Sequence, residues 1–167
     1  MAKKKRINRE KLLVLTAAAI CIGFMATVTM FFPAVKLTNI YISSITTDVD
    51  GLHAVFGGVV SVGNENIQLN ITEYLFNPLV FVGYLLPFVG VILGVVKFDS
   101  KNSLVHYVSA GLCVLGAVLI FLEPNLFASV NAISDKFTVS LLIGPILGGI
   151  LSLVSAGFHF GCGYIKR

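Results

Sequence analysis

The sequence has no tryptophan, only three cysteines, and little charge. Charged residues make up 12% of it, against about 25% in an ordinary soluble domain. That deficit excludes a typical soluble protein. Cys21, Cys113 and Cys162 all fall within or at the edge of apolar runs, and none lies between Val35 and Phe76. A disulfide framework is therefore excluded for the longest extramembrane stretch, and the thiols read as small buried hydrophobes. No acidic or basic residue lies in the middle of any apolar run, which is where proton relays, voltage sensors and most ion pathways place them. No phosphate loop, nucleophile motif or catalytic pair of carboxylates occurs. These absences point to a protein that is not an enzyme and needs no cofactor.

What is present is four long apolar runs in a chain of 167 residues with a mean hydropathy of +0.92. Each is long enough for a bilayer, which takes about 20 residues as helix. The expected fold class is an all-α membrane protein: a four-helix transmembrane bundle with a small extracellular β-rich loop domain between the first and second helices. The expected segments are a basic arm (1–11), a first span (12–34), the β-rich segment (35–76) and a second span (77–96). A turn (97–102), a third span (103–122), a short second outer loop (123–136), a fourth span (137–163) and a tail (164–167) follow. Asn77 and Pro78 supply an N-cap and a first helical residue for the second span. Pro87 should kink that span.

The β reading rests on composition and period. Residues 36–46 are rich in β-branched and aromatic types, and Asp48-Val49-Asp50-Gly51 is turn chemistry. Val59–Val62 and Ile67–Thr72 flank Gly63-Asn64-Glu65-Asn66, which predicts a hairpin with a four-residue loop. Ile67, Leu69 and Ile71 alternate with Gln68, Asn70 and Thr72, so one face is oily and one wet. Gln68 and Asn70 are the expected partner surface, and the edges of a small sheet can accept a strand.

Orientation follows from the basic residues. Ten of the twelve Lys and Arg residues fall in the N-terminal arm, the tight turn at Lys97 and Lys101, and the tail at Lys166 and Arg167. The positive-inside rule places those segments, with both termini, in the cytoplasm, and the expected location is the plasma membrane. A basic arm beside a span faces anionic lipid, so nucleic acid is not an expected partner. The expected partners are the bilayer and other membrane or cell-surface proteins, or a second copy of the chain.

Small residues recur at helical spacing. Gly144, Gly148, Ser152 and Ala156 lie four apart in the fourth run, and Gly90 and Gly94 form a small-xxx-small pair in the second. Such stripes let helices approach closely in lipid. His106, His159 and Cys162 are the nearest approach to a ligand set of soft N and S donors. Without a fourth ligand, they read as interfacial histidines and a buried thiol, and no metal is expected. His53 beside Asp50 or Ser61 is a loose constellation with nothing to fix its geometry. Asp48-Val49-Asp50-Gly51 opens like a calcium loop but lacks the later oxygens. Asn70-Ile71-Thr72 is a glycosylation sequon.

In layout, with four spans, cytoplasmic ends, a β-rich first outer loop and a short second one, the chain resembles the claudin-type tetraspans. The tryptophans and cysteine pair of that family's outer signature are missing here, so no residue role is carried over. The function expected is a non-enzymatic tetraspan, a scaffold or accessory subunit presenting an outer β-rich surface. The alternative is a transport or channel component with a pore formed by oligomerisation.

The topology has a direct check. A cysteine placed at Asn64 should react with a membrane-impermeant thiol reagent in intact cells, and one placed at Ser100 should not. Labelling at Ser100 with none at Asn64 would invert the orientation.

Overall fold

The computed structural model describes residues 2–64, 67–96 and 103–166, with side chains placed for 9–59 and, within those ranges, from 73 onward. In chain order the elements are α1 (Ala2–Val28, continued by a 3-10 turn at Thr29–Phe31), β1 (Pro33–Asn39), β2 (Thr46–Asp50), α2 (Gly51–Phe56), β3 (Gly58–Asn64) and β4 (Ile67–Tyr74). They are followed by α3 (Pro78–Val96), α4 (Leu104–Phe121), α5 (Glu123–Asn131), β5 (Phe137–Leu141) and α6 (Ile143–Lys166). Four helical stretches are long and apolar enough to cross a membrane: Arg9–Phe31, Pro78–Val96, Leu104–Phe121 and Ile143–Lys166. They form a closed bundle in which α4 packs on α3 and α6, and α1 packs on α6 and α3. Large apolar side chains such as Ile150, Leu153 and Phe160 point away from it, as a lipid-facing surface requires.

The helices touch where side chains are smallest. Gly144 backs onto the carbonyls of Pro33 and Thr29, Gly148 onto Thr29 Oγ1, Gly90 onto the Ser109 carbonyl and Cys113, and Gly94 onto the His159 ring. Ser152 Oγ donates to the Cys113 carbonyl at 2.7 Å, and Ser155 Oγ donates to the Ala19 carbonyl at 2.9 Å, so α6 is tied to α4 and to α1. Pro87 lies inside α3. It has no N–H for the Gly83 carbonyl one turn back, and Gly116 of α4 comes so close that a Cβ there would stand 2.9 Å from that oxygen.

The β structure differs from expectation in its membership. β1 is the central strand of a three-stranded antiparallel sheet ordered β2-β1-β5. Val35 pairs with both Val49 and Leu141, and Leu37 with both Thr47 and Val139. The β-rich module is thus not confined to the segment between the first two spans. The run expected to be helical from Phe137 begins as a strand, because Phe137–Leu141 is half-buried at alternate positions. Hydropathy alone cannot tell this two-residue period from the start of a helix. The stretch expected as a short second loop contains α5, with Pro124 in its first turn and Phe127 buried. Ala34, Val35, Leu37, Val49, Ala54, Tyr74, Phe127 and Ile133 form one core, joining chain on both sides of α3 and α4.

Other boundaries shift for local reasons. The first helix yields to the 3-10 turn at Thr29, and Pro33 already belongs to β1. Residues 36–46 are not one strand, since the Asn39 side chain accepts the N–H groups of Tyr41 and Ile42 and turns the chain. Asp48–Asp50 is the end of β2, and Asp50 caps α2. The β3–β4 pairing extends to Asn64↔Ile67, so the strands leave less room than a four-residue loop; residues 65–66 lie outside the described residues, as does the turn expected at 97–102. Between Val60 and Val62 the register slips by one, setting Asn70 and Ile71 against Ser61. That bulge falls within the stretch read as alternating, whose side chains lie outside those described. Gly57 and Gly58, both at positive φ, make the turn from α2 into β3. A side chain at Gly57 would run into the Tyr74 carbonyl.

A substitution pair tests the packing. Gly148→Leu puts a branched chain into Thr29 and should destabilise the protein by about 1–3 kcal/mol, read as a lower melting temperature in detergent. A Cβ at Gly157 meets nothing within 4 Å, so Gly157→Leu should leave the melting temperature unchanged.

Candidate functional site

The seam between bundle and module carries the most concentrated buried polarity. It begins at Asn77, whose N–H donates to the Val55 carbonyl at 2.7 Å and whose Oδ1 accepts the Val80 N–H at 3.2 Å, capping α3 as its sequence predicts. Two turns on, the same face of α3 presents Tyr84. Its hydroxyl donates to Glu123 Oε2 at 2.8 Å, and its carbonyl accepts from Thr27 Oγ1 at 3.1 Å. Val55, Val80, Tyr84 and Ile120 form the apolar wall around this pair, with Met30, Phe81 and Leu126 packed against it. Glu123 and Asn77 are both fully buried. Among the described residues, Glu123 Oε1 and Asn77 Nδ2 have no hydrogen-bond partner. Burial pushes the Glu123 carboxyl up to about 8, while the hydrogen bond from Tyr84 pulls the other way. The ordering has a clear cause, since removing a charge from water outweighs one hydrogen bond.

Sequence reasoning missed this acid. Glu123 follows Leu122 directly after an apolar run and counts there as one more loop carboxylate. Its only local signal is Pro124 in the first turn of α5, a helix separated from α4 by Leu122 alone. So tight a junction leaves Glu123 no room to swing outward.

At the opposite end of the bundle, His106 of α4 and His159 of α6 are brought together, ring centroids 6.2 Å apart and 29° from parallel. Both are fully buried, and none of their ring nitrogens has a hydrogen-bond partner among the described residues. Cys162 is not part of that pair, since its sulfur contacts Thr16 Oγ1 at 3.4 Å. Among the described residues, no group of three or more His, Cys, Asp and Glu is placed to hold a metal. His53 and Asp50 do meet: the ring Nδ1 lies 2.9 Å from Asp50 Oδ2, while the backbone N–H donates to Oδ1 at 2.9 Å. Ser61 falls among the residues whose side chains are not described, as do Gln68 and Asn70 of the expected partner surface.

One exposed apolar feature stands apart. Ile40, Tyr41 and Ile42 are 50%, 81% and 53% exposed, in the turn held by Asn39. They lie at the end of the sheet opposite the one where Pro33, Asp50 and Leu141 meet the helices. A second apolar group, Phe56, Phe76 and Phe81, has ring centroids 5.7–6.2 Å apart and sits where α3 begins.

No protein-family model matches this chain, and no curated protein matches it in sequence.

The cap of α2 yields a stability prediction. Asp50→Ala should cost about 0.5–2 kcal/mol, seen as a lower unfolding midpoint in detergent. Asp50→Asn, which keeps an accepting oxygen, should recover most of it.

Proposed function

We propose that this chain is a non-enzymatic four-span membrane protein of the plasma membrane, a scaffold or accessory subunit that presents its β-rich module on the outer face to another membrane or cell-surface protein. The observation that carries this reading is the exposed turn Ile40-Tyr41-Ile42. Apolar side chains on the helices face lipid, and Phe56 and Phe76 sit at the level where a helix enters the bilayer. The turn has neither reason to be apolar. β1 is seven residues long, which puts the turn roughly 20 Å along the strand from the end of α1. Contact surfaces are enriched in exposed tyrosine and other aromatic residues. The Asn39 side chain pre-forms the turn, which lowers the ordering cost of binding. The placement on the outer face rests on the basic residues, which cluster at the two chain ends and in residues 97–102.

A photo-crosslinking amino acid at Tyr41, expressed in intact cells, should yield a discrete adduct with one protein. Ile40→Ser with Ile42→Ser should abolish the adduct while leaving the melting temperature within a few degrees of the parent. An adduct with a second copy of the chain would make the surface a self-association site. Absence of any adduct, or an adduct insensitive to the double substitution, would reduce the module to a structural cap. Flux of ions or small solutes through purified protein in liposomes would favour the transport alternative instead.

A further inference from the structure

Glu123 is unlike every other acid whose side chain is described. It is fully buried, and among the described residues its only side-chain hydrogen-bond partner is a neutral phenol, at 2.8 Å. Its second oxygen has no hydrogen-bond partner among the described residues, nor has the Asn77 amide nitrogen at the start of α3. Among the described residues, no lysine, arginine or histidine forms an ion pair with it. The ionisable groups on the elements around it are few. Tyr84 faces it from α3. On the module side, His53 is taken up by Asp50, and Tyr74 packs its ring on Phe127 with centroids 4.9 Å apart. The ionisable residues of α1 and α4, such as Arg9, Lys11 and His106, lie towards the other end of the bundle. An ionised carboxylate in this setting would be a buried charge with one hydrogen bond and no counter-ion, which proteins avoid by neutralising the group. A neutral carboxyl fits. Oε2 acts as the carbonyl that accepts from Tyr84, and Oε1 carries the proton.

We propose that Glu123 is a proton-binding site that fastens the β-rich module to the bundle, closed when the carboxyl is protonated and loosened when the proton leaves to bulk water. Two features connect the acid to the module. Glu123 is the first residue of α5, and α5 supplies Leu126 to the seam and Phe127 to the module core. At its other end, Asn131 Oδ1 accepts the Leu75 N–H at 2.8 Å, so α5 also holds the end of β4. Hydrating the carboxylate means moving α5 away from α3.

The direction of the pH dependence follows. The closed form keeps the proton up to about pH 8, whereas an exposed glutamate releases it near 4.5. Between those values the closed form binds more protons than the open one. Closure is therefore complete at the acid end, weakens as pH rises through that window, and levels off above it.

The experiment uses the full chain in liposomes, with equal pH on both sides. Infrared spectroscopy follows the carbonyl stretch of a protonated carboxyl, and hydrogen exchange, corrected for its intrinsic pH dependence, follows the amides of α5. In the wild type, a carboxyl band should fade as pH rises towards 8, and α5 protection should fall at least about tenfold between the two ends of the window. Glu123→Gln, a neutral shape-mimic, should lack the band and hold its α5 protection constant. Tyr84→Phe removes a hydrogen bond that favours the ionised form, so it should move both transitions to higher pH; this variant decides the matter if Glu123→Gln does not fold. Identical protection profiles in the wild type and Glu123→Gln would overturn the proposal, as would an unmoved midpoint in Tyr84→Phe. The measurement needs no partner protein and no assigned orientation, so its failure would leave the crosslinking result untouched.

Discussion

Helices in lipid gain nothing from the hydrophobic effect by coming together, because the acyl chains around them are as apolar as their own side chains. What holds this bundle is therefore close approach of backbones and the hydrogen bonds that such approach permits. The contacts of Gly144, Gly148, Gly90 and Gly116 are all of this kind, and Ser152 and Ser155 reach carbonyls of neighbouring helices only because the helices are so near. Everything at the module end inherits that geometry. The spacing of α1 against α6 brings β1 and β5 side by side, and the spacing of α3 against α4 brings Tyr84 to Glu123.

Four apolar helices were legible from composition and length alone, and Asn77-Pro78 marked a helix start that the structure keeps. The small-residue positions read from four-residue spacing are where helices meet, since lipid leaves few other ways to pack them. The module was half legible. β-branched residues and a hairpin pattern announced strands, but pairing between Val35 and Leu141 is a long-range fact with no local trace. Phe137–Leu141 was absorbed into an apolar run because a five-residue alternation is too short to interrupt a hydropathy window. α5 was overlooked because nine residues that open on Glu-Pro look like a loop until Phe127 finds a core to enter.

The candidate site shows the same limit from another side. Glu123 and His106 differ little in sequence context: each is one polar residue beside an apolar run. Burial distinguishes them from surface residues, and burial is set by neighbours far away in sequence. Tyr84 gives Glu123 its hydrogen bond, and nothing around Tyr84 in the sequence signals an acid. The loose grouping of His106, His159 and Cys162 is partly realised in space, with the two imidazoles stacked and the thiol turned to Thr16.

The central position of β1 has a consequence for biosynthesis. One side of β1 is filled by β2, made a few residues later. The other side waits for β5, which follows α4 and α5 in the chain. Until then, β1 presents a row of unpaired backbone groups beside Val35 and Leu37, and an open edge of that kind recruits whatever strand is nearest. The nascent chain is thus most exposed to misassembly in the interval between completion of β1 and synthesis of β5. Slow synthesis or truncation in that interval would leave a sticky half-sheet at the membrane surface.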